Sequence, residues 1–217
     1  MITNIKNNLY NIDFKAKRIA KAKNTYKGLT THLEIFKIDP SDTNYLKGLY
    51  QKTSIEKLYP NLSTELKETW QSLLKFGIWN SEHLTLDTYL ACFNKTPCGI
   101  ISTTQGKKQL NIIDLISIPI DINKKANLTG QTLFYHIFKN AKKNKTQKIT
   151  LEALNVSSGN PVEKYKELGF KVIERGNRYT TMECDNENII KQVDKLKNKI
   201  NYTECKNKKI NLNEYLD

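Results

Sequence analysis

Hydrophobic residues recur along the chain with two periods, and each period predicts a different kind of element. Alternating or continuous apolar runs predict strands at 33–38, 88–94, 98–104, 110–118, 148–155, 170–174 and 179–184. Apolar residues three and four apart predict helices within 1–32, at 43–55, after Ser63, after Gly130, from 161 to 168 and over 186–200. The chain therefore reads as a strand, two helices, a three-strand meander, and then alternating helices and strands, with a further helix at each end.

The first 32 residues predict a basic amphipathic helix that Gly28 ends. Five apolar side chains fall roughly on one helical face: Leu9, Ile12, Ala16, Ile19 and Tyr26. Such a helix either packs on the domain with its lysines in solvent or lies on an anionic surface, whether a membrane, RNA or an acidic protein. The pattern leaves both interpretations open.

The stretch from 110 to 143 is the centre of the chain. A run rich in β-branched residues predicts a buried strand, and Pro119 ends it because proline cannot donate to a sheet. A short loop with Lys124 and Lys125 follows, and Gly130 leads into a helix with one apolar face. A strand, a loop and a helix start can bind phosphate, since the first helical N–H groups are unpaired and carry a partial positive charge. An ordinary strand–helix connection has the same pattern.

Composition limits the domain organisation. A chain of 217 residues that is 38% hydrophobic can build one domain with terminal additions. Residues 1–32 carry seven Lys and Arg against one Asp, which is +6 of the net +13. Only three of the 35 basic residues are arginine, the residue preferred for phosphate and base recognition. The charge therefore reflects a compositional bias as readily as a nucleic-acid partner.

The apolar runs, the cysteines and the histidines bear on the location of the protein and on metal binding. We expect a cytoplasmic protein without a secretory signal or membrane span, since the N-terminal segment is charged and no apolar run reaches membrane-spanning length. The four cysteines form no CxxC pair, and three fall in predicted strands, where a buried free thiol is common. The three histidines lie far from one another and from the cysteines, so we expect no metal site.

Two short motifs resemble those of the GNAT acyltransferase family. The family places (Arg/Gln)-x-x-Gly-x-(Gly/Ala) at the start of its central helix, and residues 127–132 read NLTGQT. The family's second motif, Tyr-x-x-x-Gly-Phe, matches YKELGF at 165–170. The resemblance covers about 33–185, and it leaves 1–32 as a basic N-terminal extension and 186–217 as a lysine-rich C-terminal helix and tail.

The resemblance implies an α/β (α+β) fold: a mixed, mostly antiparallel central sheet with a parallel pair at the cofactor cleft and helices on both faces. It implies acetyl-CoA as the cosubstrate and no metal. The cofactor-binding residues it implies are Ile116, Ser117, Ile118, Lys124, Lys125, Asn127, Leu128, Thr129, Gly130, Gln131, Thr132, Asn155 and Asn160. Asn127 and Thr132 depart from the family motif, and Thr132 adds a β-branched side chain near the phosphate path.

The resemblance also implies catalytic roles. Tyr165 matches the family's general acid, which protonates the departing thiolate. Asp114 shares strand parity with Ile116 and Ile118, and a buried carboxylate with a raised pKa can act as the base. Asp114 can equally orient solvent or bond a neighbouring strand. Weaker candidates for the base are Glu152 and Glu82.

The expected function is an N-acetyltransferase, monomeric or homodimeric, that acts on an unidentified primary amine. Segments 54–63 and 174–179 match those that position the acceptor in the family, with Tyr59, Trp79, Arg175 and Arg178 as candidate contacts. The alternative is a catalytically weakened GNAT fold that acts as a binding module, for RNA or tRNA through 1–32, or for CoA or a protein.

Overall fold

A computed structural model describes residues 16–52, 55–58, 60–117, 128–155 and 161–212. Within these ranges, nine strands and six α-helices follow one another along the chain. The strands are β1 Ala16–Tyr26, β2 Leu29–Lys37, β3 Asp87–Phe93, β4 Thr96–Gln105, β5 Gln109–Ser117, β6 Lys148–Leu154, β7 Lys171–Arg175, β8 Tyr179–Asp185 and β9 Ile200–Ile210. The helices are α1 Thr43–Lys52, α2 Ile55–Leu58, α3 Thr64–Asn80, α4 Thr129–Lys143, α5 Pro161–Glu167 and α6 Asn186–Lys197.

All nine strands belong to one sheet, in the order β7-β8-β6-β5-β4-β3-β2-β1-β9. Only β5 and β6 are parallel among the described strands, because helix α4 carries the chain back between them. Strands β3, β4 and β5 form the expected antiparallel meander. The predicted mixed, mostly antiparallel sheet with one parallel pair is confirmed.

Helices cover both faces of the sheet, as predicted. One core holds the apolar face of α4, with Leu133, Phe134 and Phe138, together with residues of α5 and α6. The other core lies beneath α1 and α3, where Leu46 and Leu74 are fully buried. Local signals lie at two of the helix ends. The hydroxyl of Ser63 accepts from Leu66 N at the start of α3, and Gly169 follows α5 with φ +86°.

The predicted N-terminal helix is wrong over residues 16–32, and residues 1–15 lie outside the described part of the chain. Residues 16–26 form strand β1, which pairs antiparallel with β2. The buried residues Ala20, Ala22 and Asn24 alternate with exposed lysines, which is the period of a strand. Gly28 does not end a helix. With Lys27 it forms a hairpin turn in which both residues have positive φ.

The C-terminal segment joins the same sheet. Helix α6 lies within the predicted range, and the Asp185 side chain caps it by accepting from Asn188 N at 2.8 Å. The polar tail beyond it forms β9, which runs antiparallel along β1 at the edge of the sheet. The cysteines of β3, β4 and β8, which are Cys92, Cys98 and Cys184, are buried free thiols as predicted. No helix among the described residues is long and apolar enough to span a membrane.

A buried hydrogen bond provides a test of β1. The amide of Asn24 donates to the Thr132 hydroxyl at 2.8 Å and so links β1 to α4. We expect Asn24→Ala to lower the free energy of unfolding by about 1–3 kcal/mol, because it removes a buried donor. The neighbouring Lys23 is exposed, so Lys23→Ala should change stability by less than about 0.5 kcal/mol. Urea unfolding of both variants measures this, and equal losses would contradict the placement of β1.

Candidate active site

The sheet opens between β5 and β6. The two strands pair only from Gln109 with Lys148 to Ile112 with Leu151, although β5 continues to Ser117. Beyond Ile112, the described residues of β5 pair with β4 alone. The backbone groups on the other edge are thus available to an extended ligand, in the way that an edge strand accepts another strand.

A bulge determines which side chains flank this opening. Thr103 pairs with Ile112 and Ser102 with Asp114, so Ile113 is the extra residue on β5. Before the bulge, Ile112 lies in the core on the α4 side. After it, Ile116 lies in the core beneath α3, and Asp114 shares that face. The parity expected for Asp114 and Ile116 is confirmed.

Helix α4 begins at the end of the opening. Leu128 precedes it in a left-handed conformation with φ +63°, and the first helical bond runs from Thr132 N to Leu128 O at 2.8 Å. The earlier N–H groups of this turn have no acceptor inside the helix. Among the described residues, a Cβ added at Gly130 would meet only Ser117 Oγ, at 3.8 Å. The helix start therefore lies beside the end of β5 with an accessible backbone, which suits a phosphate group.

Cys98 and Gly99 on β4, which are not among the predicted site residues, position this helix start. The Thr129 hydroxyl donates to Cys98 Sγ at 3.6 Å, which ties α4 to β4. Burial raises the pKa of the Cys98 thiol to about 12, so this cysteine stays protonated. A Cβ added at Gly99 would come within 2.6 Å of Thr129 Cγ2, so glycine allows the close approach. Only the pairing of β4 with α4 reveals this role.

Thr132 does not lie where the sequence suggested. Its side chain is fully buried, and its hydroxyl donates to Leu128 O at 2.9 Å while accepting from Asn24 on β1. The β-branched side chain therefore faces the interior rather than the open end of the helix. The reason is β1, whose presence beneath α4 gives the hydroxyl a polar partner.

Asp114 is a buried carboxylate with an unsatisfied oxygen. It is 5% exposed, and its Oδ2 has no hydrogen-bond partner among the described residues. Burial raises the pKa of Asp114 to about 7, although the Leu115 N–H opposes this shift. Helix α3 makes room for the carboxylate at Gly77, where an added Cβ would overlap Oδ2. A carboxylate with such a pKa can accept a proton near neutral pH.

Tyr165 lies on α5 and packs its ring edge-on against Phe134, with the centroids 5.7 Å apart. Burial raises the pKa of Tyr165 to about 12, with a smaller contribution from the negative charge of Asp114. The hydroxyl therefore stays protonated at neutral pH, as a general acid must.

Most of the remaining predicted residues fall into four groups. Asn155 has structural partners, since its amide donates to Gly176 O at 2.8 Å and accepts from Thr180. Glu82 pairs with Lys47, and Glu152 is exposed, so neither is an isolated buried carboxylate like Asp114. The acceptor candidates Trp79, Arg175 and Arg178 lie on the surface. The predictions that lie outside the described residues are Tyr59, Ile118, Lys124, Lys125, Asn127 and Asn160.

The described ranges contain no cluster of three or more His, Cys, Asp or Glu side chains that could hold a metal ion.

Comparison with known proteins gives similarity in structure alone. No family model matches the sequence, and no curated protein matches it. The chain is similar to PaiA N-acetyltransferase of Thermoplasma acidophilum in complex with coenzyme A, at 22% identity and TM-score 0.50, over 70% of this chain and 98% of that one. It is also similar to aminoglycoside 6′-acetyltransferase type Ii, at 15% identity and TM-score 0.52, over 70% of this chain and 96% of that one. At these identities the likeness shows the fold.

The contact between α3 and Asp114 can be tested by adding one methyl group. We expect Gly77→Ala to lower the free energy of unfolding by about 1–3 kcal/mol, because its Cβ would displace the carboxylate or the helix. Gly48 on α1 is the matched control, since a Cβ there meets nothing within 4 Å in the described part of the chain. Gly48→Ala should instead stabilise the helix by up to about 1 kcal/mol. If the clash is with Asp114, Asp114→Ala should abolish the loss, and an undiminished loss by urea unfolding would contradict the contact.

The raised pKa of Asp114 predicts a pH dependence of stability. Folding favours the protonated form, so the stability this group contributes is complete below its unfolded pKa of about 4 and is lost as pH rises through about 7. Asp114→Asn has no titrating group at this position, so it does not lose this stability as pH rises. Between pH 4 and 8 the wild type should lose up to about 4 kcal/mol relative to the Asn variant. Urea unfolding across this range measures the difference, and parallel profiles would refute it.

Proposed function

We propose that this chain, which has the fold of the GNAT N-acetyltransferases, transfers an acetyl group from acetyl-CoA to a primary amine. The observation that carries the proposal is the opening between β5 and β6, with the first turn of α4 at its end. An extended thioester with a pyrophosphate at one end suits that combination of a free strand edge and a helix start.

The residues present fit such a ligand. The first turn of α4 offers backbone N–H groups, and Gly130 leaves them accessible. The free edge of β5 offers backbone groups for the amides of the pantetheine arm. Asn127 leaves these backbone contacts unchanged, because they do not depend on side-chain identity. Lys124 and Lys125 are proposed to supplement the charge that an arginine would supply.

In the proposed reaction the amine nitrogen attacks the thioester carbonyl carbon, the new C–N bond forms and the C–S bond breaks. Backbone N–H groups near Ile116 and Ser117 would stabilise the oxyanion that develops on the carbonyl oxygen. Tyr165 would give its proton to the departing thiolate of CoA. Burial raises the pKa of Tyr165, so its hydroxyl is protonated when the thiolate leaves.

Asp114 would take the proton that the amine loses. Its pKa of about 7 means that a large fraction is ionised near neutral pH, while the group still binds a proton well enough to act as a base. Since the side chain is buried, we propose that a water molecule relays the proton. The unpartnered Oδ2 supports this role, because it has no hydrogen bond among the described residues to break first.

The acceptor is proposed to be a primary amine that enters from the α3 side of the sheet, where Asp114 lies. The similar structures include an aminoglycoside acetyltransferase, so aminoglycosides belong in a screen beside polyamines and peptides with a free amino group.

The alternative, RNA or tRNA binding through the basic N-terminal segment, has weaker support. Glu34 on β2 offsets part of that charge, since it lies 2.8 Å from Arg18 and 3.7 Å from Lys21. The buried side of β1 is also committed to the sheet, where Ala20 and Ala22 are in the core. Acetyl transfer is therefore the proposal that the geometry favours.

Tyr165→Phe tests the proposed chemistry, because it keeps the ring and removes only the hydroxyl. We expect kcat to fall by about 10²–10⁴-fold in a thiol-release assay with the best amine of the screen. Acetyl-CoA should raise the unfolding temperature of this variant as much as it raises that of the wild type. The rise should be saturable and reflect about 2.7 kcal/mol at 100 times Kd. The matched control is Tyr26→Phe, since Tyr26 is an exposed tyrosine on the first hairpin.

Two results would count against the proposal. An absence of any shift in unfolding temperature at millimolar acetyl-CoA would indicate a fold that no longer binds the cosubstrate. If acetyl-CoA clearly shifts the unfolding temperature and Tyr165→Phe keeps full turnover, the chain still transfers acetyl groups but Tyr165 is not the general acid.

A further inference from the structure

A cavity separate from the candidate active site lies between the C-terminal half of α4 and strands β1, β2, β3 and β9. Its volume is about 430 Å³, within the range of small-molecule sites. It shares no residue with the opening between β5 and β6. Strands β1 and β9, which lie outside the segment that resembles GNAT proteins, supply part of its wall through Ile19, Tyr202 and Lys206.

A chain of hydrogen-bonded side chains forms the floor of this cavity. His136 on α4 is 6% exposed, and both of its ring nitrogens have partners. Nδ1 lies 2.6 Å from the Tyr202 hydroxyl, and Nε2 lies 2.9 Å from Asn140 Nδ2. The Tyr89 ring packs edge-on against the His136 ring, with the centroids 4.6 Å apart. A buried, largely satisfied polar network of this kind holds its members in fixed positions.

The direction of each hydrogen bond can be worked out from the Asn140 end. The atom of Asn140 that faces the imidazole is Nδ2, and the NH₂ group of an amide only donates. His136 Nε2 is therefore an acceptor.

The remaining step leads into the cavity. Burial lowers the pKa of His136 to about 4, so the ring is neutral near pH 7 and carries one N–H. Because Nε2 accepts, that hydrogen is on Nδ1 and is donated to the Tyr202 oxygen. The Tyr202 hydroxyl must then donate its own hydrogen bond to another acceptor, and the described residues supply none. The network ends on a hydroxyl donor at the cavity wall.

The charges around the cavity complement this donor. Four lysines line it, Lys37, Lys139, Lys143 and Lys206, against the single carboxylate of Glu204. Lys139 neutralises Glu204 at 2.9 Å, and Lys37 pairs with Asp87. Within the described part of the chain, Lys143 and Lys206 form no ion pair. The cavity therefore combines an unmatched hydroxyl donor with excess positive charge.

We propose that this cavity binds a small oxyanion, either a carboxylate or a phosphate group. The oxyanion accepts a hydrogen bond from the Tyr202 hydroxyl, and Lys143 and Lys206 balance its charge. The site is separate from the one proposed for acetyl-CoA. It does not depend on acetyl transfer, because it uses the C-terminal half of α4 and the two terminal strands.

The imidazole NMR signals of His136 provide a local measurement, since the full chain has only three histidines. Their assignment uses His32→Asn and His83→Asn. Sodium phosphate and sodium succinate are each titrated against sodium chloride of equal ionic strength. We expect saturable shifts of the His136 signals with at least one oxyanion, at a Kd of about 1 mM, and no such shift with chloride. Phosphate alone would indicate a phosphate ligand, and succinate alone a carboxylate.

Variants make the test specific. Tyr202→Phe should weaken binding about tenfold, because it removes the donor and keeps the ring. Lys143→Ala and Lys206→Ala, both surface changes that leave the network intact, should each weaken it about threefold. Lys107→Ala, an exposed lysine in the β4–β5 turn, should have no effect. The proposal is overturned if neither oxyanion gives a saturable shift, or if all the variants bind as the wild type does.

Discussion

The arrangement of the candidate active site depends on the parting of β5 from β6. Parallel strands need a crossover, and the helix that supplies it, α4, begins above the C-terminal end of β5. Once the two strands separate beyond Ile112, the free edge of β5 and the unpaired N–H groups of α4 face one opening. The topology therefore places a backbone surface for an extended ligand next to a site for an anion, before any side chain is considered.

The bulge at Ile113 adds chemistry to that opening. Without it, strict alternation would place Asp114 on the same face as Leu110 and Ile112, in the apolar core with α4. The bulge turns the carboxylate towards α3, where Gly77 leaves space for it. A buried oxygen without a hydrogen bond destabilises the fold by about 1–3 kcal/mol, and such sites are expected where function outweighs stability.

Local signals were enough to predict most of the elements. Pro161 and Gly169 bound α5 through backbone preferences that need no knowledge of the rest of the chain. Strand β1 was not predictable in this way, because alternating alanine and lysine suit a helix as well, and its partner β9 lies near the other end of the chain. The bulge at Ile113, the space at Gly77 and the burial of Thr132 depend on pairings that no local pattern encodes. The motif and the strand parity make Asp114 and Tyr165 candidates for the catalytic residues, but they do not predict the surroundings of these side chains.

The terminal strands change what helix α4 can do. Its first turn faces the opening in the sheet, while His136 and Asn140, further along, face β1, β3 and β9. A buried imidazole needs two partners, and Asn140 can satisfy only one nitrogen, so Tyr202 on β9 completes the set. Because the acceptors in this series are already used, the Tyr202 hydroxyl has no hydrogen-bond acceptor among the described residues. Extending the sheet past β2 thus creates a second polar surface on α4, with its chemistry fixed by hydrogen-bond direction rather than by a sequence motif.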